Sequence, residues 1–483
     1  MAPPTDPASP RPRVVVVGAG IAGLAAAADL RRRAPGVEVV VLESSSAIGG
    51  KLALREVGGV TVDVGAESML NRRPEATELA RASGLAARLV HPATARANLW
   101  SRGRLLPLPR TVMGFPADAR ALAESGVVSK TGLARAALDS VLPATRLDGR
   151  DISVGALVEE RFGREVVDRL VEPMLGGVYA GHAREISARA ATPQLVGLLE
   201  RDRSMLKAAA AATSATSDVP VFAGLAGGLG QLPDAIVSST GVDVRVGSTV
   251  RELARRTDGG WNLVVGSTHD PRVVQADAVV LATPARPTAR LLSEVAPDAA
   301  LELARIDYAS MAIVTLAFRA RDLPVTEGSG FLVPPVDRRV VKAATFSFAK
   351  WDWVRAAGRG GSAAGADEDL LVMRCSIGRH REESTLQRED DELVELALAD
   401  LAAAIGLSGR PVDRHVQRWG GALPQYAVGH LDRVETVRRA VGEHRGLAVC
   451  GAAYDGVGIP ACIASAKLAV DQVLDALAAQ PSG

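Results

Sequence analysis

Arg13-Val14-Val15-Val16-Val17-Gly18-Ala19-Gly20-Ile21-Ala22-Gly23-Leu24 is the stretch that decides the fold. Four consecutive valines read as a short buried strand, and Ile21 to Arg33 reads as a helix. Between them Gly18 permits a tight turn, Gly20 lets the backbone approach a pyrophosphate, and Gly23 allows close helix–strand packing. The helix start offers unpaired N–H groups and the positive end of its dipole. Val37 to Leu42 reads as a second strand and ends at Glu43, 20 residues past Gly23, where a ribose-binding acid is expected, with Ser44 beside it. Strand, helix and strand within about 30 residues make a βαβ unit, hence a parallel sheet. The reading is dinucleotide binding; a glycine-rich helix start with no ligand is the bland alternative.

Length and composition frame this motif. At about 150 residues per domain, 483 residues make roughly three domain-sized units. Basic and acidic residues number 56 and 55, a net charge of +1, which argues against a nucleic-acid binder. Aromatic residues at 3% count against stacking platforms for single strands. Cys375, Cys450 and Cys462 give no disulfide framework, so a reduced, cytoplasmic setting is expected. No His/Cys cluster has zinc-ligand spacing, and no metal is expected. The first 12 residues carry five prolines and read as a disordered lead-in rather than a signal peptide. Val14 to Ala28 is too short and too rich in glycine for a membrane span.

Further strands are expected at Thr61–Val64, Val242–Val246, Trp261–Val265, Ala278–Ala282, Ile313–Phe318, Leu370–Arg374 and Leu447–Cys450. From Thr111 to Arg203 the apolar spacing turns helical. Lys207–Asp218 is low-complexity, a frayed helix end or a mobile loop, and Ala356–Asp369 reads as a disordered insertion. A terminal helix is expected from Pro460 to Ala478. The organisation is discontinuous. Residues 13–90, 220–300 and 435–483 would form the dinucleotide domain, 91–110 and 301–434 a substrate domain, and 111–219 a helical domain.

Several more motifs accompany the first. Gly49-Gly50-Lys51, after Glu43, gives a second glycine turn whose lysine can face phosphates or simply be solvated. In Val62-Asp63-Val64-Gly65-Ala66-Glu67-Ser68, Gly65 would let a ring approach closely, and Asp63 can equally be a turn residue. Ala278 to Ala282 runs into Thr283-Pro284. Val449-Cys450-Gly451 leads to Tyr454-Asp455-Gly456-Val457-Gly458-Ile459-Pro460-Ala461-Cys462, a glycine loop opening a second helix.

Gly18 to Gly23, Glu43, Gly49-Gly50 and Asp63 to Ser68 resemble the FAD motifs of the amine-oxidase superfamily. Leu175-Gly176-Gly177-Val178-Tyr179-Ala180-Gly181, Gly330-Phe331-Leu332-Val333-Pro334 and Ala422-Leu423-Pro424-Gln425-Tyr426-Ala427-Val428-Gly429-His430 narrow the likeness. Together with Tyr454 to Ile463 they resemble the protoporphyrinogen/coproporphyrinogen oxidases over about residues 13 to 478. The resemblance implies an α/β fold: a Rossmann-like FAD-binding domain of the p-hydroxybenzoate-hydroxylase type, with an inserted mixed α+β substrate domain and a helical domain.

It also implies non-covalent FAD, held by Gly18, Ala19, Gly20, Ile21, Ala22, Gly23, Leu24, Glu43, Ser44, Gly50, Lys51, Gly65, Ala66, Glu67, Ser68, Val250, Trp419, Val457, Gly458 and Ile459. Val250 is expected just after a strand, as a backbone contact to adenine. Arg72, Arg96, Gly177 and Tyr179 are the substrate candidates; surface arginines and a core tyrosine are their bland readings. His430 reads as structural. The implied reaction takes six electrons from a porphyrinogen in three hydride transfers, with three O2 reduced to three H2O2. The Ala/Gly/Arg-rich composition resembles that of high-GC actinobacteria, whose members make coproporphyrin and pass it to a ferrochelatase. Coproporphyrinogen III is therefore the expected substrate and protoporphyrinogen IX the alternative. The helical block lies where relatives meet a membrane surface. An amine oxidase or carotenoid desaturase on the same fold is the second reading, and a non-catalytic flavin or porphyrin carrier the third.

Overall fold

Val14, Val15, Val16 and Val17 are each at most 4% exposed, because their strand lies in a sheet covered on both faces. Such a strand needs an unbroken apolar run. The computed structural model describes residues 11–112, 114–199, 202–214, 219–360 and 368–479. Most of the proline-rich lead, the end of the low-complexity stretch (215–218) and residues 361–367 of the Gly/Ala insertion lie outside the described residues.

In chain order the strands used below are β1 (Arg13–Val17), β2 (Glu38–Leu42), β3 (Asn98–Ser101), β4 (Arg104–Pro107), β5 (Asp243–Arg245), β6 (Ala278–Leu281), β7 (Tyr308–Arg319), β8 (Gly330–Leu332), β9 (Val341–Thr345), β10 (Leu370–Ile377), β11 (Asp413–Pro424) and β12 (Leu447–Val449). The helices are α1 (Ile21–Arg33), α2 (Glu172–Tyr179), α3 (Leu232–Thr240), α4 (Asp390–Ile405) and α5 (Ile459–Ala478).

Five strands form a parallel sheet in the order β5-β2-β1-β6-β12. Alternate valines divide between its two sides. Val14, Val16, Val39 and Val41 join the core containing α1, α3 and α5, while Val15, Val17 and Val40 face the core around Trp261 and Leu263. The second core includes an antiparallel meander of Val250–Arg255, Trp261–Gly266 and Pro271–Ala276. Val250 therefore opens a strand as well as following β5, a correction to the expected boundary. Its strand escapes a hydropathy reading because Arg251, Glu252 and Arg255 are exposed.

The second sheet has seven strands in the order β11-β7-β10-β9-β8-β3-β4. Only the β8–β3 pair in it is parallel. One face buries Ala312, Val314, Phe331, Ala344, Cys375 and Ile377 against Leu393, Leu398 and Leu401 of α4. The other face carries Leu332, Ala343, Arg374 and Ser376, and α2 packs over its β8–β9 part.

The block from Thr111 is not helical throughout, as the spacing suggests. A hairpin, Thr111–Val112 with Phe115–Pro116, opens it, with Gly114 at φ +90°. The following helices meet at Arg161, which is 1% exposed. Its Nε donates to Asp139 Oδ1 at 2.7 Å, and its Nη2 donates to the carbonyls of Asp139 and Arg203 at 2.8 and 2.6 Å. Asp139 also accepts from Ser204 Oγ at 2.6 Å and Leu206 N at 3.0 Å. Asp139→Ala is expected to cost about 3–5 kcal/mol, because it leaves a guanidinium buried without its counter-ion. Urea unfolding checks this; a loss below about 1 kcal/mol, the worth of a surface pair, contradicts it.

Candidate active site

The parallel sheet puts the carboxyl ends of β1, β2, β6 and β12 on one edge, where ligands of such sheets bind. Gly18 (φ +104°) turns the chain out of β1, and its N–H donates to Leu42 O at 2.8 Å. A Cβ on Gly23 would lie 1.9 Å from Gly18 O, so the turn and α1 fit only with glycine there. A Cβ on Gly20 would meet nothing within 4 Å, which leaves the approach to the helix start open. Neither Gly20 nor Gly458 caps its helix with a side chain. The starts of α1 and α5, two helices packed on each other, thus keep orphan N–H donors for an anion.

Leu24 is the exception among the expected contacts. Its amide already donates to Gly20 O at 3.0 Å, so Ile21, Ala22 and Gly23 supply the donors at the start of α1. Glu43 sits beside the turn: Ala19 N donates to its Oε2 at 2.7 Å and Ser45 N to its Oε1 at 2.8 Å. Ser44 Oγ lies 3.3 Å from Glu43 Oε1. Ser248 N, two residues before Val250, donates to Glu43 O at 2.7 Å. The acid, the glycine turn and the Val250 strand are therefore neighbours. Gly49 N donates to Ala19 O at 2.8 Å, and a Cβ on Gly50 would sit 3.4 Å from Gly20 Cα, so the second glycine turn rests on the first.

Lys51 is open to solvent but walled in by protein. Desolvation by those walls lowers its pKa from the ordinary lysine value, against an opposite push from Cys462. These features fit a dinucleotide: open glycine backbone, two helix starts, an acid at the strand end and a lysine on the second glycine turn.

The Asp63–Ser68 loop is fixed from two sides. A Cβ on Gly65 would lie 1.9 Å from Lys51 O, and Ala66 N donates to that same oxygen at 3.1 Å. From the seven-stranded sheet, Trp419 Nε1 donates to Val64 O at 3.0 Å, while Arg374 Nη1 donates to Asp63 O at 2.7 Å and Gly65 O at 3.0 Å. Glu67, 9% exposed, pairs with Lys350 at 2.6 Å and Arg374 at 3.3 Å. Burial pushes the Glu67 carboxyl up, but Arg374 and Lys350 outweigh it and hold its pKa at about 2. Its carboxylate is thus engaged by protein and fixes the position of the loop.

Asp63 serves a different purpose. Its carboxylate accepts from Leu229 N and Gly230 N, both at 2.9 Å, just ahead of α3. Desolvation raises its pKa to about 7 despite those two bonds.

The other expected residues fall in separate places. Val457 is partly buried against the helical core, and Ile459 is buried in the core around α1. Gly177 is exposed on α2, its missing Cβ 3.5 Å from Leu332 Cδ2. Tyr179 is buried in the helical core with its ring 5.5 Å from that of Tyr426, which supports its core reading. Arg72 and Arg96 are exposed, and Arg96 acts through its backbone, accepting from Ser329 N at 2.8 Å. The structure therefore does not turn either arginine into a buried carboxylate partner. His430 stacks on Tyr426 at 3.9 Å and points Nε2 at Tyr454 O; desolvation lowers its pKa to about 4. Arg374 and Lys350 escape sequence reading because no local motif marks a cation that pairs some 300 residues away.

Fold and site define a dinucleotide-binding flavoprotein. The profile of flavin-containing amine oxidoreductases matches residues 21–474. The coproporphyrinogen III oxidase of Mycobacterium tuberculosis is 38% identical over 96% of this chain and 98% of its own. That of Bacillus subtilis is 29% identical over 95% and 97%. A crystal structure of an Exiguobacterium protein described as a protoporphyrinogen oxidase superposes with a TM-score of 0.83 at 30% identity, covering 97% of this chain and 99% of that one. The chain belongs to the flavin-containing amine oxidoreductase family and is an oxidoreductase with a flavin cofactor.

Two outcomes follow from the loop. Gly65→Ala is expected to give protein that folds but retains little flavin, read from absorbance at 450 nm after gel filtration; full flavin content would contradict the close approach. Asp63 binds a proton in the folded state up to pH about 7 but in the unfolded state only up to about 4. Stability should therefore fall as pH rises from 4 to 7. The Tm of Asp63→Asn minus that of wild type should grow over this window; a constant difference would contradict the raised pKa.

Proposed function

We propose that this protein is a coproporphyrinogen III oxidase of haem biosynthesis. It binds FAD non-covalently and forms coproporphyrin III, consuming three O2 and releasing three H2O2. One observation carries the reading: a dinucleotide cradle lies in a chain similar along its whole length to relatives named for this reaction. Residues 13–90, 220–300 and 435–483 then serve the cofactor, 91–110 and 301–434 the substrate, and 111–219 the helical domain. Cys462, which interacts electrostatically with Lys51, is buried with its thiol pushed up to about 12, which supports a non-covalent flavin.

Bound FAD would accept hydride equivalents from substrate carbon and return them to O2. The chain's own work is to orient the macrocycle beside the Asp63–Ser68 loop and to exclude water. Protons on the macrocycle nitrogens leave to solvent, so the reaction needs no acid–base dyad. Product passes to a ferrochelatase in the cytoplasm. Among the described residues no helix is long and apolar enough to cross a membrane; contact of the helical domain with a membrane surface is part of this reading. Protoporphyrinogen IX oxidation is the second reading, favoured by the description of the Exiguobacterium structure.

The test is porphyrin fluorescence and peroxide release in air, with equal coproporphyrinogen III and protoporphyrinogen IX and an autoxidation blank. A preference of at least about tenfold for coproporphyrinogen III is expected if the site pairs the additional carboxylates, with three H2O2 per porphyrin. A reversed preference supports protoporphyrinogen IX. No rate above blank with either, together with turnover of an amine, overturns the porphyrinogen reading.

A further inference from the structure

Lys342 and Arg379 are 3% and 5% exposed. Lys342 Nζ has no hydrogen-bond partner. Arg379 Nη2 donates to Val333 O at 3.0 Å, and its nearest carboxylate is the half-exposed Glu382 at 3.9 Å. The two cations are neighbours. Val333 N donates to Lys342 O at 2.9 Å, so the residue that anchors Arg379 also pairs with the lysine's backbone.

A register shift between Val341 and Ala343 inserts Lys342 as an extra residue in β9, the kind of bulge that re-aims a side chain. Desolvation lowers the pKa of both: Lys342 to about 7, with Arg379 adding to the effect, and Arg379 against opposite pushes from Glu382 and Glu172. An unpaired buried ammonium next to a guanidinium is costly unless an anion joins them.

The surroundings offer donors and few acceptors. On β10, opposite Ala343, Ser376 Oγ is also buried without a partner. Glu172 on α2 uses Oε1 to accept from Ala183 N at 3.1 Å, 3.8 Å from Arg184; its Oε2 is buried without a hydrogen-bond partner, and burial raises its pKa. α2 closes over β8 and β9 with Gly177 against Leu332. Arg374, which holds the Asp63–Ser68 loop, stands five residues before Arg379, so the two Cα atoms are no more than about 17 Å apart. This donor cluster and the flavin-side loop thus lie toward opposite ends of one sheet face.

We propose that Lys342 and Arg379 together receive one carboxylate of the substrate, at the end of the sheet face remote from the Asp63–Ser68 loop. This rests on the porphyrinogen reading above. The carboxylate would accept charge-assisted bonds from both cations. A substrate with an alkenyl group at that position would leave both unpaired, so the site selects for additional carboxylates.

The test uses full-length flavin-loaded enzyme and Lys342→Met, which keeps chain length and removes charge. KM for coproporphyrinogen III should rise about tenfold more than KM for protoporphyrinogen IX, as loss of a buried charge partner implies. Binding of coproporphyrin III, read by quenching of its fluorescence, should weaken in step, and Lys342→Arg should restore most of both. Equal changes for the two substrates, or unchanged coproporphyrin binding, overturn the inference. If Lys342→Met does not retain flavin, Arg379→Gln, which also removes a charge, supplies the same comparison. A wild type that oxidises no porphyrinogen overturns the functional reading and this inference with it. A wild type that does, beside an unaffected Lys342→Met, overturns this inference alone.

Discussion

The chain brings Gly65 so close to Lys51 that a Cβ there would sit 1.9 Å from the Lys51 carbonyl oxygen. No side chain is compatible with that approach, and the consequences run outward from it. Lys51 belongs to the second glycine turn, which rests on the first through Gly49 and Gly50. Gly65 belongs to the loop that Trp419 and Arg374 hold from the other sheet. One contact between two backbones therefore registers the glycine turns against the seven-stranded sheet. An oxidoreductase of this kind needs that registration, since electron transfer depends on where the substrate carbon stands relative to the flavin.

Buried charge is distributed along the same sheet face. Near the loop, Glu67 is balanced by Arg374 and Lys350, and the pairing keeps it ionised. Further along, Lys342 has no hydrogen-bond partner and Arg379 meets the half-exposed Glu382 only at 3.9 Å. The first group has its anion built in and holds the loop. The second has donors to spare, and a polyanionic substrate would complete it. Burial makes both arrangements consequential, because an unpaired charge there costs several kcal/mol.

The parallel sheet was readable where local rules govern. Arg13–Val17 and Ile21–Arg33 have the bounds that four valines and a glycine turn dictate. Glu43 could be placed because a strand end fixes its distance from the turn. The site's outer parts were not readable in the same way. Arg374, Lys350, Lys342 and Arg379 lie on or beside strands of the second sheet, and their meaning depends on long-range pairing. Arg72 and Arg96 stood near recognisable motifs but lie at the surface. Proximity in sequence to a motif is a weak guide to which cation is buried. The bond of Trp419 to Val64 O, 355 residues away, likewise required the fold.

The most direct measurement is anaerobic mixing of the flavin-loaded protein with one equivalent of coproporphyrinogen III, followed at 450 nm. The account predicts bleaching of the flavin without O2, and return of the band with porphyrin retained when air is admitted. A flavin that stays oxidised with the porphyrinogen but bleaches with a primary amine would contradict it.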